Sequence, residues 1–514
     1  MLLTQLLSNA KLGNYMIVDA RSFQDASASN INIDEIFTDS RKATRNGLFI
    51  ALEGLHTDSH KLVGEISERG ARAAIVAKNA YFDGRVKKSR GSLLLVVVDD
   101  TREAFARLYA AWYKNPQDKM IFVGITGTNG KTTVSRTVFE ILSRSGYPCG
   151  LIGTEGCFTY CDQGELGIKP KSLLANMTTP DPEELYHILS EMAERGVRYV
   201  VMEVTSHALA LKKVAPIFYD VGVFTNLSED HLDFHSSMEE YFKTKKELFT
   251  KCRVGVVNID DRYGRRLAEE VEITRFTCSA EGRSADYNAC DIRFLKGGGV
   301  EYRLASGRMR LRIRTVMPGS VTVMNTMQAA AVANILGVSP RDVKDSVAAI
   351  EGVKGRFERV KLPVKVGFSV YIDYAHTPDA LENLLRSAKT LVTRGSRIVL
   401  LFGCGGDREK QKRAEMGRIA SQMTDFFVVS EDNSRSERTS DIISDIVSGI
   451  TDEGHYTVIE DREKAIEYLI RNAKDGDVIL LAGKGHEEYQ IKGEERRDFS
   501  ERAIVEKYVK RYHG

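Results

Sequence analysis

Short apolar runs, each closed by glycine or a polar residue, recur along the whole chain. GLFIAL, AAIVAK and LLLVVVD lie in the first 117 residues. IFVGIT, RYVVMEV, DVGVFTN and VGVVNI follow, and VYIDYAH, RIVLLFGCGG, DFFVVSED and DVILLAGKG lie beyond residue 353. Amphipathic segments with helical spacing separate them. Apolar runs alternating with helices predict parallel strands joined by crossovers. The stretch from about 285 to 325 instead alternates with period two, which predicts antiparallel hairpins. The expected fold class is therefore α/β with three domains: a small α/β domain at 1–117, a central domain with a mostly parallel sheet at 118–352, and a third α/β domain at 353–514. AWYKNPQDK (111–119) reads as the linker before the central domain.

A chain of 514 residues is too long for one core. With 42% apolar and 28% charged residues and a net charge of +2, it offers no electrostatic case for nucleic acid or an anionic membrane as main partner. No run of about 18 apolar residues occurs, so no membrane span is expected. The first residues carry no basic leader followed by an apolar core, and no signal peptide is expected. Seven cysteines, odd in number and without a CxxC pair, suit reduced thiols of the cytoplasm.

Val123 to Thr133 read VGITGTNGKTT. An apolar strand runs into a glycine-rich turn closed by Lys131 and Thr132, and a helix-like segment follows. Such a turn points main-chain N–H groups at a phosphate, the lysine meets the terminal phosphates and the threonine hydroxyl faces Mg²⁺. The helix N-terminus adds positive potential. Ile125 stands where the eight-residue phosphate-loop pattern has its first glycine, so the loop is a shortened variant beginning at Gly127. Gly127, Thr128, Asn129, Gly130, Lys131, Thr132 and Thr133 are the candidate nucleotide-binding residues.

Ligands in open α/β sheets lie beyond the carboxyl ends of strands. RYVVMEV delivers Glu203, and DVGVFTN delivers a loop with Asp230, His231, Asp233 and His235. A carboxylate and an imidazole beside a phosphate loop suit a hard cation, with zinc as the competing reading and local capping as the plain one. YFKTKKELF, with Lys243, Lys245 and Lys246, reads on composition as a solvated basic helix face. GRFE and DYAHTPDAL place Arg356, Asp373 and His376 at the start of the third block. FGCGGDR, SEDNSRSE and GKGHE then place Arg408, Arg435 and Glu487 on three strand ends. Two guanidiniums and a carboxylate suit a molecule bearing carboxylates and an ammonium, such as an amino acid.

Taken as a set, TGTNGKTT, NMTTPD, EVTSHAL, TNLSEDHLDFH, YFKTKKELF, GRFE, DYAHTPDAL, FGCGGDR, DNSR and GKGHE resemble the Mur ligase family over essentially the whole chain. The resemblance implies a UDP-binding first domain, a central phosphate-loop ATPase and a Rossmann-like third domain that brings the amino acid. It implies an ATP-dependent amide ligase, a cytoplasmic monomer with ATP and two Mg²⁺, acting on UDP-N-acetylmuramoyl-L-alanyl-D-glutamate and meso-diaminopimelate. Lys131, Lys245, Glu203 and His231 look like its catalytic residues. Thr132, Glu203, His231 and Lys245, the last as a carbamate, look like the metal-binding set. Asn325, Arg356 and Asp373 are similar to residues around adenine and ribose. Ser40, the turn with Leu55, His56 and Thr57, and Thr178, Thr179, Thr205 and Lys213 look like contacts to the UDP substrate. Arg408, Asp432, Asn433, Ser434, Arg435, Gly483 and Glu487 look like the amino-acid site.

Departures from the family pattern bear on the substrate. Ser434 replaces a proline of the diaminopimelate motif, which frees a turn and keeps lysine and ornithine open as alternatives. Thr205 keeps a hydroxyl and Lys213 a charge, Leu211 loses a hydrogen-bonding group, and Thr322 stands for the first asparagine of the pair ending in Asn325. A folylpolyglutamate synthetase-like ligase shares the central motifs but lacks a UDP-binding first block. A nucleotide switch or transport ATPase would not need the Arg/Arg/Glu cluster.

Overall fold

The computed structural model describes all residues except 29, 30, 55, 56, 90, 162, 163, 169–176, 233, 297 and 308, and only the backbone of 164–168 and 453. The fold is α/β, with sheets whose strands are mostly parallel. Contacts gather the chain into two compact units, 1–123 with 148–220, and 124–147 with 221–514.

The first unit holds a five-stranded sheet in the order Tyr15–Asp19, Leu94–Val98, Ala73–Ala77, Gly47–Ile50, Glu35–Phe37. Only the outermost pair, Tyr15–Asp19 with Leu94–Val98, is antiparallel. The same unit carries Cys149–Gly153, parallel to Tyr199–Glu203 and antiparallel to Gly156–Cys161. Leu94–Val98 is buried at every position, as a strand covered on both faces must be. The stretch read as a linker is partly structured: its first two residues finish the helix Thr101–Trp112, and Pro116 opens a short 3₁₀ turn after Asn115 adopts φ 50°. Asp100 caps that helix by accepting from the N–H groups of Arg102 and Glu103.

In the second unit Cys252–Asn258, Thr274–Ser279 and Tyr287–Phe294 are successive parallel neighbours. Val300–Ser306 and Met309–Thr315 extend them as the antiparallel hairpins expected for 285–325. A six-stranded sheet follows in the order Glu358–Arg359, Ser369–Asp373, Val478–Ala482, Ile398–Phe402, Phe426–Val429, Tyr456–Val458. All neighbours but the first pair are parallel. Its alternate residues feed two cores: Leu400 and Leu480 pack on one face, and Val399, Leu401, Ile479 and Leu481 on the other. Truncating one such leucine to alanine costs about 2–5 kcal/mol, so the sheet is a rigid base for the loops at its carboxyl edge. Four of those loops, after Asp373, Phe402, Val429 and Ala482, carry the residues singled out above. No helix among the described residues is long and apolar enough to cross a membrane.

Candidate active site

The phosphate loop lies wholly in the second unit. Strand Ile121–Thr126 ends in it, and helix Lys131–Arg144 begins with Gly130 at the cap position, φ 85°. Gly127 sits at φ 145°, where an added Cβ would lie 1.9 Å from Thr225 Oγ1, so only glycine lets the loop lie against that strand end. The Asn129 carbonyl accepts from Thr225 Oγ1 (2.6 Å) and Asn226 Nδ2 (3.1 Å). Asn226 returns the contact through its Oδ1, which accepts from the Asn129 N–H at 2.9 Å. Lys131 Nζ donates to the carbonyls of Gly127 (3.0 Å) and Thr128 (2.9 Å).

Lys245 corrects the composition reading. Helix Met238–Lys246 exposes Lys243, but Lys245 is 1% exposed. Its Nζ donates to the Gly127 carbonyl at 2.8 Å and lies 4.6 Å from the Tyr241 ring centroid. Burial, reinforced by the neighbouring Lys131 charge, holds this amine well below the usual lysine range.

His231 stands beside them at φ 56°, with Nε2 3.4 Å from Asp230 Oδ2. Burial lowers its pKa to about 4, so the imidazole is neutral near pH 7, the form that ligates metals. His235 is buried and stacks on Tyr241, ring centroids 4.9 Å apart. Among the described residues no three His, Cys, Asp or Glu side chains converge on one point. Asp233 lies outside the described residues.

A cleft opens beside the loop, lined by Asn129, Gly130, Asn325, Arg356, Asp373 and Tyr374 among others. Arg356 donates to Thr132 Oγ1 (3.1 Å) and lies flat over Tyr374, 4.7 Å from its centroid. Asp373 accepts from the N–H groups of Phe357 (2.6 Å) and Ala375 (2.8 Å). Its carboxyl is pushed upward by burial, against the pull of Arg356. Asp379, in the first turn of helix Pro378–Lys389, was not singled out from sequence, where it reads as an ordinary helix-start acid. Its Oδ2 accepts from Asn129 Nδ2 (2.7 Å) and Ser228 Oγ (2.9 Å), tying the phosphate loop to that helix.

The amino-acid candidates gather at the carboxyl edge of the six-stranded sheet. Asn433 Nδ2 donates to Glu487 Oε2 at 2.8 Å. Arg435, at φ 48°, donates from Nη1 to the Gly406 carbonyl at 2.8 Å. Ser434 is buried, and its carbonyl accepts from Glu437 N–H at 3.1 Å, so the turn lacking proline is held by hydrogen bonding. At Gly483 (φ 115°) an added Cβ would lie 2.6 Å from Asp432 Oδ2. Arg408 differs from the rest: it is exposed, and its Nη1 donates to the carbonyl of Asp407. Lys484, inside the quoted GKGHE segment yet given no role from sequence, is fully buried among these carboxylates.

The remaining candidates belong to the first unit. Glu203 is buried and accepts from the N–H of Thr154 (2.8 Å) and its hydroxyl (3.1 Å). Thr178 Oγ1 lies 3.0 Å from the Thr154 hydroxyl, and Thr179 Oγ1 donates to the Glu203 carbonyl at 2.9 Å. Thr205 caps helix Ser206–Ala210, and Lys213 pairs with Asp181 at 2.7 Å. Ser40 opens a 3₁₀ turn capped by Asp39, and Thr57 is exposed. Leu55 and His56 lie outside the described residues.

A phosphate loop backed by a buried lysine, joined to a sheet edge rich in paired charges, is the layout of enzymes that activate one substrate with a nucleoside triphosphate for attack by another. The Mur ligase middle domain matches residues 125–333, and the Mur ligase glutamate ligase domain matches residues 355–485. The chain belongs to the Mur ligase family. It is 39% identical over 481 residues to the UDP-N-acetylmuramoyl-L-alanyl-D-glutamate--2,6-diaminopimelate ligase 1 of Clostridium acetobutylicum, covering 94% of this chain and 95% of that one. The ligase of the same description from Caldanaerobacter subterraneus is 40% identical, with coverage of 93% and 95%. A solved structure of a UDP-N-acetylmuramoyl-L-alanyl-D-glutamate--2,6-diaminopimelate ligase superposes with a TM-score of 0.65 at 27% identity, covering 96% of this chain and 97% of its own.

Proposed function

We propose that the protein is an ATP-dependent, ADP-forming amide ligase that adds meso-diaminopimelate to UDP-N-acetylmuramoyl-L-alanyl-D-glutamate in peptidoglycan synthesis. The observation that carries this reading is the polar and charged set of Asp432, Asn433, Arg435 and Glu487 on the sheet that follows the shortened phosphate loop. Diaminopimelate differs from lysine by a carboxylate at its far stereocentre. A guanidinium pairs with that group and has nothing to pair with on lysine's bare ammonium end.

The D-glutamyl carboxylate attacks the γ-phosphorus of ATP, the bond to ADP breaks and an acyl phosphate forms. The amine of diaminopimelate then attacks the acyl carbon, phosphate leaves and the amine loses its proton. Lys131 neutralises charge on the transferring phosphoryl group, which is where most phosphoryl-transfer catalysis lies. Mg²⁺ supplies further positive charge, and Thr132, His231 and Lys245 as a carbamate are the second-unit residues that would hold it. The imidazole of His231, its pKa lowered to about 4, and the amine of Lys245, held below the usual lysine range by burial, fit those roles. Glu203 is assigned to the metal on the same resemblance alone, and Glu203→Gln should raise the Mg²⁺ concentration that gives half-maximal phosphate release. Arg356 and Asp373 hold the nucleoside, and Ser40, Thr57, Thr178, Thr179, Thr205 and Lys213 hold the UDP substrate. Three functional domains at 1–117, 118–352 and 353–514, acting as a cytoplasmic monomer, complete the proposal.

Phosphate release in the presence of Mg·ATP and the UDP-dipeptide, with meso-diaminopimelate, L-lysine or L-ornithine added separately, tests it. Release with diaminopimelate alone is expected. Release with lysine or ornithine keeps the ligase and overturns the amino acid, and silence with all three overturns the ligase.

A further inference from the structure

The proposed chemistry leaves Lys484 without a task, although its surroundings are specific. The side chain is 0% exposed, between Gly483 and the rest of the GKGHE segment. Its Nζ lies 3.2 Å from Asn433 Oδ1, 3.4 Å from Asp432 Oδ1 and 3.5 Å from Glu487 Oε2. The rings of Tyr489 and Phe499 lie 5.8 and 5.9 Å away. A lysine is almost never buried so completely unless paired, and this one touches two carboxylates and the amide that links them. Asn433 closes the network: its Nδ2 donates to Glu487, and its Oδ1 also accepts from the N–H of Ile491 at 2.9 Å.

Two carboxylates in one dry pocket repel, and without a cation one of them takes a proton. Glu487 is the one pushed upward, first by burial and then by the Asp432 charge, while Lys484 and Asn433 pull it back. Asp432, also buried, is instead held below the usual carboxylate range by Lys484 and Arg462, against the effect of its burial. Tyr374 and Tyr489 are the other titratable groups facing Glu487. A protonated Glu487 would lose its attraction for an ammonium, leaving one weaker hydrogen bond.

We infer that Lys484 is a positioning residue for the incoming amino acid: its amine clamps Asp432, Asn433 and Glu487 into one geometry and offsets one of the two carboxylates, so that Glu487 remains an anion for the substrate's ammonium. This inference rests on the reading of the pocket as the amino-acid site. It assigns specificity to a residue that touches the substrate only through its neighbours.

The test compares Lys484→Met with the wild type across pH 6–9, reading KM for diaminopimelate, KM for ATP and kcat. The ratio of variant to wild-type KM for diaminopimelate is expected to be about tenfold or more at pH 7 and to shrink as pH rises, because higher pH strips the proton from Glu487. KM for ATP is expected to stay within about twofold. Glu487→Gln should abolish the pH dependence of the ratio, and the double variant should match Glu487→Gln alone. A pH-independent loss, or one that adds to that of Glu487→Gln, overturns the inference, as does a fall in kcat with KM unchanged. Lys484→Gln, which retains a polar tip, serves if the methionine variant fails to fold, with the same outcomes expected. A wild type active only with lysine or ornithine overturns the diaminopimelate reading but not this one, which is then tested on that amino acid. A wild type inert with all three overturns both.

Discussion

The phosphate loop and the amino-acid pocket are both sites for charged ligands, and they are built from opposite materials. The loop is main chain: glycines at positive φ, carbonyls of Gly127, Thr128 and Asn129, and two lysines that lean on those carbonyls. The pocket is side chain: Asp432, Asn433, Lys484 and Glu487 hold one another in a closed ring of contacts. A site made of backbone is specified by where glycine is allowed. A site made of side chains is specified by charge balance, which any one substitution upsets.

Breaking the loop should have the largest effect. Lys131→Ala is expected to lower phosphate release by at least about 10²-fold, as loss of a principal charge-stabilising donor does, with the folded protein unchanged by melting temperature. Lys245→Ala should also be nearly inactive, and small carboxylic acids added to the assay should restore part of the rate, since they replace an anion rather than an amine. Full activity without rescue would return Lys245 to a packing role. In the pocket, Arg435→Ala should raise KM for diaminopimelate by about 1.5–3 kcal/mol of lost charge-assisted binding while leaving KM for ATP near its wild-type value. Equal changes in both constants would erase the distinction between the two sites.

The smallest effect concerns the support of the pocket. Arg413, wholly buried, pairs with Glu437 at 2.8 Å, and this arginine holds the Glu437 carboxyl down at about 2. A carboxylate with a depressed folded pKa stabilises the fold above its ordinary value of 4.5. That stability is lost as pH falls from there toward about 2. Chemical denaturation followed down that range should show wild type losing more stability than Glu437→Gln, and parallel curves would remove the pair from the account.

The contrast also explains what the sequence discloses. Strands buried on both faces announce themselves as unbroken apolar runs, so LLLVVVD and DVILLAGKG are legible without any structure. The loop is legible because Gly127 and Gly130 are the residues its backbone demands. Lys245 is legible only through the YFKTKKELF motif, because local composition sees three lysines on one helix and cannot see that Tyr241 and the Gly127 carbonyl close over the second of them. Asp379 reads as a helix-start acid because its partners Asn129 and Ser228 are more than a hundred residues away in sequence. Lys484 hides in part for the same reason: Asp432 arrives from another strand end, while Glu487 lies three residues on in its own loop. Arg408 is exposed and its guanidinium donates to the Asp407 carbonyl, so the motif alone carries its place in the proposed site.

The resting place of Lys131 governs traffic through the loop. Its amine lies on two carbonyls of the loop it serves, one of them shared with Lys245. A phosphate group entering the loop must draw that amine away from both carbonyls, so the lysine's pull on a nucleotide is the difference between two competing sets of contacts.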